Sequence, residues 1–372
     1  MKIIVVGGGY AGLSCLMALA DLLPDSRRIL VDPSDYHLKQ TRLQEALRRS
    51  LDGLRIPFDA LGRKYGFLHL KGKPSMSARA LKKAAASGRL VGGGVDATFD
   101  ALVVAVGTRP RPRPAQAGCV GLADLKHADG GRLVERIASG AGDRRDRVTV
   151  VGGGATGLQY LFELRDALRR VGAKTGVSLV DAGNRLLPDQ PGAFHDYITR
   201  RIEQAGITYI KGYRLDSAEP QRLVLAGRRG GTRRLRSAVS LVLTGFVGNP
   251  SILETSETGQ VVIGGDRLDR IFAAGDCSTY QGGGFDAASA QAAVRKGRLV
   301  AGNLKRLAGG REMKPYRASE LGFFLSMGAL DGVGWIGDRR AVVTGAPAFA
   351  VREAIEARYD LFVGGIDTFG VL

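Results

Sequence analysis

The stretch "VTVVGGGATGLQYLFEL", residues 148–164, decides how this chain is read. A run rich in β-branched residues enters three glycines, and a segment with helix-like apolar spacing follows at once. Gly152-x-Gly154-x-x-Gly157 therefore stands where a strand turns directly into a helix. Each glycine has a physical task there. The first makes the tight turn, the second lets backbone approach a pyrophosphate, and the third lets helix and strand pack closely. The helix start turns free N–H groups, Thr156 among its first residues, and the positive end of its dipole toward the phosphates. Asp181 closes the next apolar run, "VSLVD". A carboxylate at that place accepts from a ribose 2′-hydroxyl and repels a 2′-phosphate, which favours NADH. Arg185 nearby keeps NADPH as the lesser alternative.

The same grammar opens the chain. "MKIIVVGGGYAGLSCLMAL", residues 1–19, holds Gly7, Gly9 and Gly12 in the same spacing, with Tyr10 and Ala11 inside the turn, and "RRILVD" ends in Asp32. One glycine fingerprint is a weak signal. Two fingerprints, each with strand, turn, helix, second strand and terminal acid, are a strong one. They predict an α/β protein with two Rossmann-like dinucleotide-binding domains, and electrons passing from one bound dinucleotide to the other.

Two breaks divide the chain. "FDALVVAVGTRPRPRP", residues 99–114, ends a strand in alternating Arg-Pro, and "SLVLTGFVGNP", residues 240–250, ends another in a Gly/Asn/Pro break. They predict a discontinuous first domain, residues 1–117 and 246–313, with a second domain inserted at 118–245. Residues 314–372 form a small C-terminal α+β unit with a helix over 348–362. A further helix is expected from Phe285 onward.

The totals narrow the classes. Hydrophobic residues at 44% and charged residues at 24% fit a soluble globular protein. Cys15, Cys119 and Cys277 lie far apart, so neither a disulfide framework nor a dithiol of sequence neighbours is expected, and the compartment reads as reducing and cytoplasmic. Four histidines without ligand spacing predict no metal site. No apolar run approaches the ~20 residues that cross a bilayer. The net charge of +18 attracts anionic membranes or acidic proteins. The basic residues are scattered and lack interleaved aromatics, which disfavours nucleic acid. A homodimer stays open.

The first fingerprint resembles the two-dinucleotide-domain flavoprotein superfamily when taken with Ala105 and Gly107 of "ALVVAVGTRP", Gly245 of "SLVLTGFVGNP", and Gly275 and Asp276 of "RIFAAGDCSTY". That resemblance implies FAD on the N-terminal fingerprint, with Asp276 at its ribityl or pyrophosphate region, and the nicotinamide on the insert. Within it, "DPSDYHLKQTRLQEAL" (32–47), "ASAQAAVRKG" (288–297) and the tail from "ELGFFLSMGALDGVGWIG" onward are similar to the type II NADH:quinone oxidoreductases. The likeness implies hydride transfer from NADH to FAD, then electron transfer to a quinone or other small acceptor. It also implies a peripheral position on the inner face of the cell membrane. Gln40 and Gln159 are then polar groups near the flavin ring, and Gln291 lies beside the quinone. The chain departs from the family in three places. Gln159 replaces a glutamate, Arg295 replaces the second glutamine of the quinone pattern, and the C-terminal anchor is short or absent. The alternatives are a soluble reductase of a small acidic redox protein, ferredoxin- or rubredoxin-like, and a flavoprotein with mainly a binding role.

Overall fold

A computed structural model describes residues 1–139, 147–283, 288–318 and 320–368. The chain divides into two compact units. One comprises Met1–Thr41, Asp52–Arg109 and Phe246–Glu320, the other Arg42–Leu51, Pro110–Gly245 and Leu321–Leu372.

The first unit is built on Lys2–Val6, an almost wholly buried strand whose apolar side chains fill both faces. It pairs in parallel with Arg27–Asp32 on one side and Ala101–Val104 on the other. Phe67–Lys71 extends the sheet beyond Arg27–Asp32, and Asp266–Ala273 extends it beyond Ala101–Val104, again in parallel. Three shorter strands complete an eight-stranded sheet. Continuous apolar runs suit strands covered on both faces, which is why they read as "IIVV" and "LVV" rather than as alternations. On one face Ile4, Ile29, Leu81, Phe99, Leu102 and Ile271 share a core.

On this unit the helix Tyr10–Leu22 is joined by the helix Ala290–Ala308. Gly297 lies so close to the Ala11 carbonyl and the Ser14 hydroxyl that a Cβ there would overlap both. The Ser14 hydroxyl donates to the Val294 carbonyl at 3.2 Å. The expected helix thus begins at Ala290, where the Ser289 hydroxyl accepts the Ala292 N–H at 3.1 Å. Residues 284–287, where that expectation began, lie outside the described residues.

The second unit repeats the plan with five parallel strands in the order Cys119–Gly121, Val239–Val242, Arg147–Val151, Gly176–Asp181, Thr208–Lys211. Its helix Ala155–Arg170 follows the second fingerprint. An antiparallel sheet of Tyr213–Glu219, Arg222–Gly227 and Thr232–Arg236 turns Leu223, Leu225 and Leu235 onto Val151, Val180 and Val242. The tail supplies Gly322–Ser326, Gly332–Ile336 and Val342–Thr344, covered by the helix Ala346–Val363.

Arg42–Leu51 and the tail group with this unit because of what the helix Ala155–Arg170 carries on its outer face. Gln159, Glu163 and Asp166 recur there at helical spacing, and each needs a polar partner. Arg48 Nε lies 3.2 Å from Glu163 Oε2. The Asp166 carboxylate accepts the Ala329 N–H at 3.0 Å, and the Gln159 amide donates to the Ser326 hydroxyl at 3.3 Å. Residues 32–47, quoted above as one segment, are thus divided between the two units after Thr41.

Candidate dinucleotide-binding sites

The two glycine turns have the same geometry. Gly7 and Gly152 adopt φ of +106° and +114°, a region that strains any side chain. Their N–H groups donate across the sheet to Val31 and Val180, each at 2.8 Å. In both turns the last glycine, Gly12 or Gly157, presses on the carbonyl oxygen of the first, leaving no room for a Cβ. Gly9 and Gly154, which begin the helices, face open space instead. Neither helix has a side-chain cap or an acid in its first turn, so the N–H groups there are left for an anion. The turns are closed where helix meets strand and open where a phosphate would lie. These residues fit a dinucleotide.

The terminal acids have a second task that the sequence does not announce. Asp32 Oδ2 accepts the Gly8 N–H at 2.7 Å, and Oδ1 accepts the Ser34 N–H at 2.8 Å. Asp181 repeats this on Gly153 and Gly183, at 2.9 and 3.1 Å. Each carboxylate therefore ties the middle glycine of its turn to the end of the neighbouring strand. It keeps lone pairs for a ribose hydroxyl.

In the first unit, the other expected residues gather around that turn. Gly7 abuts the Ala105 carbonyl, Gly275 packs against the Ala11 side chain with φ +83°, and half-buried Asp276 follows. Gly107 is open, with φ +61°. The Tyr10 hydroxyl lies 2.9 Å from Thr41 Oγ1, and exposed Gln40 directly precedes Thr41 in the chain. Gln291 sits in the first turn of Ala290–Ala308, partly exposed. His37, absent from the expectations, is buried with Nδ1 3.0 Å from the Gly8 carbonyl and its ring edge-on to Tyr10. A lone histidine after a strand carries no sequence signal for such a brace.

In the second unit, Thr156 is partly exposed in the first helical turn. Gly245 is open, with φ +95°. Beyond the turn lies an ion network that the sequence hides. Glu45, 1% exposed, meets Arg42 at 2.8 Å, Arg49 at 2.6 Å and, more distantly, Arg48 and Arg352. Arg352 in turn meets Glu353 at 2.9 Å and Glu356 at 3.8 Å. Buried charges demand such partners.

Glu163 sits at the edge of this network with its side chain 1% exposed. Burial, the largest influence, holds its carboxyl above the usual glutamate value. Glu45 and Asp166 add to the rise, while Arg48 and Arg170 oppose it. A raised carboxyl binds its proton more tightly in the folded state than in the unfolded state. Its contribution to stability is therefore complete below the ordinary glutamate range and is lost as pH climbs through the raised value. Glu163→Gln removes that loss. Urea midpoints measured across the weakly acidic range should show wild type losing ground to the variant as pH rises; a constant difference would contradict it.

Among the described residues no helix is long and apolar enough to cross a membrane. Cys15, Cys119 and Cys277 are free and buried. Burial pushes the Cys277 thiol up to about 11 and the Cys15 thiol up to about 12.

Comparison with known proteins agrees with this geometry. The family described as pyridine nucleotide-disulphide oxidoreductase matches residues 1–297, and the chain belongs to that family. It is 24% identical over 396 aligned positions to the type II NADH:quinone oxidoreductase of Staphylococcus aureus, covering 98% of this chain and 96% of that one. The fold is that of NDH2 from Plasmodium falciparum, solved in complex with NADH, at a TM-score of 0.81 and 14% identity over 95% of this chain and 94% of that one. It is also that of the sulfide:quinone oxidoreductase of Aquifex aeolicus, at 0.80 and 16% over 97% and 91%.

Proposed function

We propose that the chain is an FAD-dependent NADH dehydrogenase of the type II NADH:quinone oxidoreductase kind. The observation that carries this reading is the pair of fingerprints, each with its acid tied to the middle glycine of an open turn. FAD is held by Gly7, Gly9, Tyr10, Ala11, Gly12, Asp32, Ala105, Gly107, Gly275 and Asp276. NADH is held by Gly152, Gly154, Thr156, Gly157, Asp181 and Gly245. Bound flavin supplies a ring able to take hydride from NADH and to release the electrons to a quinone.

The chain's own residues bind and orient. The two helix starts neutralise pyrophosphate charge through backbone N–H groups, so no lysine or metal is needed there. Asp32 and Asp181 hold the turns in shape and receive ribose hydroxyls. At Asp181 the carboxylate sets NADH above NADPH, because a 2′-phosphate would meet a negative charge. Gln40, Gln159 and Gln291 act as polar, non-titrating groups at the reacting ends. The positive surplus draws the protein to an anionic membrane surface, where a quinone is dissolved.

A sulfide-oxidising reading, which the Aquifex fold likeness raises, requires accessible thiolates. Burial of Cys119 and Cys277, which raises both thiols, speaks against it. The acceptor is tested by reducing flavin-loaded protein with NADH under anaerobic conditions. Reoxidation is then timed with a soluble quinone, a small acidic iron–sulfur protein and oxygen. The quinone is expected to act fastest. Rapid reoxidation by the protein acceptor alone would replace this reading with that of a redox-protein reductase.

A further inference from the structure

We infer that Ser326 is a positioning residue for NADH, setting the Gln159 amide so that its carbonyl oxygen faces the nicotinamide; the inference rests on the NADH reading above. Ser326 ends the strand Gly322–Ser326 and is 2% exposed. Its hydroxyl oxygen accepts the Gln159 Nε2–H at 3.3 Å and the Gln44 Nε2–H at 3.5 Å. A glutamine amide offers donors on one side and an acceptor on the other. With one Nε2–H bonded to Ser326 the amide is held against a flip, which leaves Oε1 on the other arm of the amide, away from that hydroxyl.

A second contact sets where Ser326 stands. The turn after its strand is pinned to the same helix by the Ala329 N–H on Asp166 Oδ2, at 3.0 Å. Gly328 leaves no room for a side chain against that carboxylate. Gln159 and Asp166 are seven residues apart, two helical turns, and so lie on one face. The hairpin is thus clamped at two points along the fingerprint helix, and Ser326 cannot drift along it. Gln159 itself is only partly buried, two residues beyond Gly157. The carboxamide N–H₂ is the hydrogen-bond donor on the nicotinamide ring, and an outward-facing oxygen is its complement. A free amide could rotate and present N–H₂ to N–H₂ instead.

Ser326 touches neither cofactor nor substrate in this role. Its effect is on alignment, where an error of about 1 Å can cost on the order of 10²-fold in rate. Ser326→Ala removes one hydroxyl and leaves the packing close to its original volume. We expect flavin reduction at saturating NADH to slow by about 10-fold or more. Affinity for ADP-ribose, which lacks the nicotinamide, should stay at the wild-type value, while the preference for NADH over ADP-ribose falls. Ser326→Thr, which keeps the hydroxyl, should restore both.

An unchanged NADH-to-ADP-ribose preference with an unchanged reduction rate in Ser326→Ala overturns the inference. Equal impairment of the alanine and threonine variants overturns it too, since that is the mark of packing alone. Failure of NADH to reduce wild type would sink the functional reading itself, a result separable from either.

Discussion

Gly12→Ala protein is expected to purify without flavin. A Cβ at position 12 overlaps the Gly7 carbonyl oxygen and comes within 3.3 Å of the Val5 side chain. Gly7 has no room to retreat. It is wedged against the Ala105 carbonyl, holds φ +106°, and donates its N–H to Val31 at 2.8 Å. The helix Tyr10–Leu22 must therefore lift from the turn, and the N–H groups aimed at the pyrophosphate lose their common direction. Hydrogen bonds to a charged group contribute about 1.5–3 kcal/mol each. Loss of two weakens flavin binding by about 10²-fold or more, at about 1.4 kcal/mol per factor of ten. The sheet core around Ile4, Ile29 and Leu102 is untouched, so the protein should still unfold cooperatively. Absorbance of the purified variant, before and after incubation with FAD, measures the effect. Wild-type flavin content would contradict the assignment of this turn.

Gly157→Ala is expected to do the converse. The same overlap arises, here with the Gly152 carbonyl oxygen, and Gly152 is blocked in turn by the Leu243 carbonyl. The protein should stay yellow, because the lesion lies in the second unit's turn. Reduction by NADH should slow by about 10²-fold or more through misplacement of the donor. Stopped-flow bleaching against NADH concentration reads this directly. Together the two variants dissociate flavin retention from NADH reduction. A protein that used one turn for both cofactors, or neither, could not give that pattern.

Much of the architecture was legible because it is local. A β-branched run, three glycines and a helix-patterned stretch specify strand, turn and helix within twenty residues, and the acid after the next strand follows from the same unit. Asp32 and Asp181 were found for that reason, although their bonds to Gly8 and Gly153 were not. What stayed hidden depends on contacts between distant parts of the chain. Ser326 lies 167 residues from Gln159, and nothing in "FFLSMG" marks that serine. Nothing in "RLQEALRR", residues 42–49, marks Glu45 for burial among arginines. Folding buries Glu45 among them and brings Arg352 from the C-terminal helix. The C-terminal helix was legible in extent but not in orientation. Its buried face mixes Ala348, Tyr359, Phe362 and Val363 with Arg352 and Glu356, while Ile355 and Leu361 are about half exposed, a departure from a simple apolar-in pattern.

The central claim is that one chain binds two dinucleotides and moves electrons from the nicotinamide to the flavin. Anaerobic titration of FAD-loaded protein with NADH, followed by visible absorbance, tests it most directly. The flavin is expected to bleach completely at one equivalent of NADH per flavin. Flavin that stays oxidised in excess NADH would contradict it, whatever the sequence and fold resemble.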